Sequence, residues 1–109
     1  MTTLTQVTDY SFDPEVLKCD LPVLANFWAE WSAPAQELMP WLAGLSAENP
    51  ERVKVVSVEI EDNPHVTADY NVLTIPTLIL FKNGQEILRL TGSRDRQDIL
   101  TAISPYFDQ

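Results

Sequence analysis

The feature that most narrows the fold is an apolar run that changes its period without a break. Residues 21–28, Leu-Pro-Val-Leu-Ala-Asn-Phe-Trp, are apolar apart from Asn26. A strand with one wet face alternates, so a run this continuous predicts a central strand covered on both sides. From Pro34 to about Glu48 the spacing becomes helical, with Leu38, Trp41, Leu42 and Leu45 on one stripe. Pro34 falls in the first turn, where a missing N–H matters little. Pro40 falls in the interior, where proline removes a hydrogen bond and is expected to bend the helix. Asn49-Pro50 ends it.

The remaining segments fit around that core. Residues 3–8 are threonine-rich and read as a short edge strand. Asp9 or Ser11 is expected to cap a first helix, with Phe12, Val16 and Leu17 on its buried face. Cys19 ends that helix, and Pro22 closes the connection to the central strand. Residues 53–60 form the next strand, with Val53, Val55 and Ser57 on one face. Asn63-Pro64 opens a short helix over 65–70. A strand over 78–82 and another over 86–91 are joined by Asn83-Gly84, a strong hairpin signal. A last helix over 94–106 turns Ile99, Leu100 and Ile103 toward the sheet, with Pro105 unsettling its final turn and 108–109 loose.

The run Phe27-Trp28-Ala29-Glu30-Trp31-Ser32-Ala33-Pro34-Ala35, with Pro40 in the helix that follows, resembles the active-site segment of the thioredoxin family. The family pattern is Phe-Trp-Ala-x-Trp-Cys-Gly-Pro-Cys, and here Ser32 and Ala35 stand where its two redox cysteines belong. The resemblance runs from the first helix to the last and implies the α/β thioredoxin fold, a central mixed sheet flanked by helices in the order βαβαβαββα, and a length of 109 residues predicts one domain over residues 1–109. It also implies a cis bond before Pro76 in Ile75-Pro76-Thr77. A peptide groove bordered by Trp31, Ala33, Pro34, Ile75, Pro76 and Gly92 follows from it too. Asn26 and Ser57 occupy positions where many members carry a buried acid and its lysine partner. An asparagine cannot titrate near neutrality, so it cannot relay protons as that acid does; on the residues alone it is expected to be a satisfied core amide.

Chemistry constrains function further. Disulfide exchange needs one sulfur to attack and another to resolve. A serine hydroxyl without an adjacent base does not replace the first, and alanine cannot replace the second. The chain is therefore expected to be redox-inactive at this motif and to bind protein or peptide segments through the groove, with a thioredoxin reductase among the partners the resemblance admits. The alternative is an active thioredoxin, a protein thiol-disulfide oxidoreductase, whose cysteines were replaced by engineering. The changes at Asn26, Ser57 and Ala33 favour natural loss; Ser and Ala as replacements for cysteine favour engineering. A reactive Cys19 beside Lys18 and Asp20 and a serine hydrolase at Ser32 are weaker readings, the second for want of an oriented His and Asp.

Sixteen Asp and Glu against seven Lys and Arg give a net charge of −9, which opposes nucleic-acid and anionic membrane partners. No apolar stretch reaches the roughly 20 residues of a membrane span, and residues 1–6 lack a signal peptide's basic start. The single cysteine cannot form an internal disulfide. A cytoplasmic monomer is expected. His65 has no Cys, His or carboxylate at metal or triad spacing, so neither a metal nor a cofactor is expected.

Overall fold

The structure, a computed structural model, describes residues 4–107. Five strands form one mixed sheet: β1 (Thr5–Gln6), β2 (Val23–Trp28), β3 (Lys54–Glu59), β4 (Thr77–Lys82) and β5 (Gln85–Thr91). Their spatial order is β1-β3-β2-β4-β5, so the unbroken apolar run is the middle strand. β2 runs parallel to β3 and antiparallel to β4, and β1 and β5 are the edges. The helices are α1 (Ala33–Glu48), α2 (Pro64–Asp69) and α3 (Arg96–Phe107). The expected strand start at Thr3 and the expected loose end at 108–109 lie outside the described residues.

Alternation along β2 divides the core in two. Leu24 faces α1 and α3 with Val55, Leu78, Leu80, Leu42 and Ile103. Val23, Ala25 and Phe27 face the other way, onto Val56, Val58, Ile79, Phe81, Phe12 and Val66. Both faces of the strand are therefore dry, which is why its sequence does not alternate. On the second face Phe12, Tyr70 and Phe81 pack as a trio with ring centroids 5.1–5.5 Å apart.

Local chemistry explains most boundaries. α1 stops where the Asn49 side chain donates to the Leu45 carbonyl at 3.0 Å. It runs on through the exposed Pro40, and α3 likewise continues through Pro105. Asn83 and Gly84 both have positive φ, +53° and +80°, as a two-residue hairpin turn requires. A Cβ on Gly84 would also meet the Leu17 carbonyl at 3.1 Å. The β4–β5 ladder slips between Leu80 and Phe81, with Leu80 opposite Leu88 and Phe81 opposite Glu86. Ile87 is the extra residue of that bulge.

The first helix departs from expectation. It is a single wide turn over Asp13–Leu17, with the Lys18 N–H donating to the Asp13 carbonyl five residues back at 3.0 Å. Neither Asp9 nor Ser11 caps it. Ser11 instead accepts the Thr8 N–H at 2.8 Å in a closed local turn. That turn releases Asp9, whose carboxylate accepts the N–H groups of Val66 at 2.8 Å and His65 at 3.3 Å, at the start of α2. The other end of α2 is held by Arg89 of β5, whose guanidinium donates to the carbonyls of Tyr70 at 2.6 Å and Asn71 at 3.4 Å. A six-residue helix has almost no internal hydrogen bonding of its own. Here a negative group closes its positive end and a positive group its negative end.

Candidate functional site

The candidate site lies at one end of the sheet, where β2 ends, β4 begins and β5 ends. Trp31, in the turn after β2, is 65% exposed. Ser32 follows and is buried; its hydroxyl accepts the Ala35 N–H at 3.4 Å, as the N-cap of α1. Gln36 ties the turn down by donating to the Glu30 carbonyl at 2.7 Å. Ala33 and Pro34 are exposed, and Ala35 is buried against the core. Among the described residues no side-chain base bonds the Ser32 hydroxyl.

The facing wall comes from the segment before β4. The Ile75–Pro76 bond is cis. Thr77 donates its hydroxyl to the Thr74 carbonyl, bracing the turn, and the Gly92 N–H donates to the Pro76 carbonyl at 2.8 Å. Gly92 has φ +85°, a conformation open to glycine and strained for other residues. The backbone N–H and C=O of Ile75 enter no hydrogen bond among the described residues. A hollow of about 370 Å³ joins Pro34 to Pro76, with Glu37, Arg94, Asp95 and Arg96 completing its wall.

Asn26 and Ser57 stand directly opposite each other on β2 and β3, both fully buried on the sheet face that α1 covers. Burial is as expected for Asn26, but satisfaction is not. Neither its amide nitrogen nor its carbonyl oxygen has a partner, nor has the Ser57 hydroxyl, nor Trp28 Nε1 further along β2, among the described residues. The strand ladders use the backbone groups, and the residues packed onto this face, Leu24, Val55, Leu38 and Leu42, are apolar.

Comparison with known proteins decides the family. A thioredoxin family model matches residues 3–105. The chain belongs to the thioredoxin family. It is 40% identical over 100 residues to a thioredoxin of Rickettsia bellii, covering 92% of this chain and 95% of that one. It is 41% identical over 101 residues to a thioredoxin of Rickettsia typhi, covering 93% and 96%. A thioredoxin of Porphyra purpurea is 36% identical over 103 residues, covering 94% and 96%.

With the thioredoxin fold in place, the chain's one cysteine can be located relative to the site. Cys19 is half-buried and precedes β2, whereas Ser32 follows it. Six strand residues separate the two ends by roughly 20 Å, so Cys19 does not reach the Ser32 turn. With a single cysteine, the sequence holds no pair of thiols that could close an internal disulfide. No helix among the described residues is long and apolar enough to cross a membrane, and no group of His, Cys, Asp and Glu suited to a metal is present among them.

The geometry brings Pro34 and Pro76 into one hollow and bonds Gly92 to Pro76. Trp31, Ala33 and Ile75 stand outside that hollow, while Asn26 and Ser57 lie within the core. Sequence reasoning missed Glu37, Arg94 and Arg96 as lining residues, although the arginines follow Gly92 closely. It also missed Leu73, an apolar side chain 92% exposed three residues before Pro76.

Proposed function

We propose that this thioredoxin-family chain is a redox-inactive protein-binding module, and that it binds extended protein segments along Trp31, Ile75, Pro76 and Gly92. The observation that carries the reading is the contrast between adjacent residues. Trp31 is widely exposed, while the neighbouring Ser32 hydroxyl is turned into its own helix as a cap. The N–H and C=O of Ile75, unbonded among the described residues, supply what an added strand needs, and an exposed indole supplies an apolar anchor. In this reading Ser32 and Ala35 replace the family's two redox cysteines. The module works as a monomer in the cytoplasm, with protein partners that include a reductase able to dock on the same groove.

Two assays test it. A peptide selected from a random display library against the chain serves as the binding probe. Trp31→Ala is expected to weaken its binding at least about tenfold, as for a central aromatic anchor, with melting unchanged; equal affinity would remove the groove from the account. In insulin disulfide reduction with a thiol reductant, the chain is expected to give the background rate. A fast Ser32→Cys/Ala35→Cys variant would make the missing sulfurs the whole defect. A folded but slow one would mean that Asn26, Ser57 and Ala33 belong to a site remodelled for binding.

A further inference from the structure

The segment that carries Leu73 and Ile75 begins at the C-terminal end of α2, where carbonyls have no partner within the helix. Arg89 supplies one from the edge strand. Its guanidinium spans the Tyr70 and Asn71 carbonyls and is itself gripped by Glu86, at 2.8 Å from Nε and 2.9 Å from the nitrogen that also reaches Tyr70. The planar fork is thus fixed on both sides, which a single ammonium could not achieve. Asn71 then turns through φ +51°, Val72 buries, and Leu73 emerges into solvent. At the far end the same segment is pinned by Thr77 on the Thr74 carbonyl. Along this segment the Asn71 N–H donates to the Ala68 carbonyl at 3.1 Å and the Val72 N–H to the Thr67 carbonyl at 3.0 Å, and from Leu73 to Ile75 no backbone N–H is bonded among the described residues.

We propose that Arg89 is a positioning residue for the groove: held by Glu86, it fixes the Tyr70–Asn71 turn and so sets where Leu73 and Ile75 stand to meet a bound segment. The inference rests on the groove reading and deepens it. Side chains of the Glu86–Arg89 pair remain 31% and 29% exposed, so solvent still screens the pair, and its contribution to global stability is modest. The pair's effect is therefore local. A wall that adopts the binding conformation only about a tenth of the time lowers apparent affinity about tenfold.

The test uses a Ser32→Cys/Cys19→Ser background, in which Ala35 provides no resolving sulfur and no second thiol competes for the probe. The probe is an extended peptide whose central cysteine is held as a mixed disulfide with thionitrobenzoate. The Cys thiolate attacks the peptide sulfur, a protein–peptide disulfide forms, the old disulfide breaks, and thionitrobenzoate leaves as the coloured thiolate. Dithionitrobenzoate alone, too small to need the groove, is the control. Arg89→Met is expected to slow peptide capture about tenfold without slowing the control reaction, and to speed amide exchange at Asn71 and Val72 while leaving that of β2 unchanged. Arg89→Lys, which keeps the charge and loses the fork, is expected to stay slow and guards against a folding defect in the methionine variant. If Trp31→Ala slows capture and both Arg89 variants match the parent, the positioning role is overturned and the groove reading stands. If Trp31→Ala also leaves capture unchanged, the groove reading fails and takes the positioning role with it. Full rescue by lysine would overturn the fork geometry.

Discussion

The Ser57→Ala variant is expected to be more stable than the parent by about 1 kcal/mol, since a buried hydroxyl without a partner loses its hydration and gains nothing in return. Ser57 is fully buried in the middle of β3, and its hydroxyl has no partner among the described residues. Leaving such a group unsatisfied costs about 1–3 kcal/mol, and the space left by one oxygen returns a few tenths of that. For a chain of this length a 1 kcal/mol gain raises the melting temperature by about 4 °C. Urea unfolding gives a second measure, with the midpoint rising at unchanged slope. Asn26→Leu removes two unpartnered atoms at similar volume and is expected to gain at least as much. Because Asn26 and Ser57 face each other across the ladder, the double variant is not expected to be the sum of the two. A fall in midpoint for Ser57→Ala would refute the reasoning, since it would mean that the hydroxyl is hydrogen-bonded in solution.

Ser32→Ala removes the cap of α1 and is expected to lower stability by about 0.5–1 kcal/mol, the lower part of the usual range because the bond is 3.4 Å long; thermal melting measures it, and no loss would mean that the helix start is held by Gln36 alone. The Arg89 hydrogen bond, opposed by partial burial, holds the Glu86 carboxyl below its ordinary value of 4.5. A lowered carboxyl stabilises the fold above the ordinary value and loses that contribution as pH falls through the folded one. Protection of the Asn71 and Val72 amides, corrected for the intrinsic pH dependence of exchange, is therefore expected to fall as pH drops below the ordinary value of 4.5, and Glu86→Gln to remove that pH dependence; an unaltered profile would place the titrating group elsewhere.

Much of this architecture was legible because its causes are local. Continuous apolar residues marked β2, Asn83-Gly84 marked the hairpin, and Asn49 marked the end of α1. The resemblance of the Trp31 turn and the Ile75-Pro76-Thr77 sequence to the thioredoxin family led to the cis bond. What stayed hidden depends on residues distant in sequence. Asp9 looked like a cap for the nearest helix, but Thr8 and Ser11 close their own turn and leave it to serve α2, more than fifty residues on. Nothing near Arg89 announces that its partners are Tyr70 and Asn71. Asn26 was expected to be satisfied because buried amides usually are, yet its cross-strand neighbours, Ser57 and Leu78, offer it no bond.

The two remote caps of α2 come from opposite edges of the sheet, Asp9 just beyond β1 and Arg89 within β5. Asp9 precedes α2 in the chain and Arg89 follows it. A nascent chain that has reached α2 but not β5 has the helix's start secured and its finish open. The wall that carries Leu73 and Ile75 is then complete only when the last strand has emerged and paired. In the binding reading, display of the groove thus requires β5 to be paired, and a chain truncated before Arg89 is expected to offer partners no such surface.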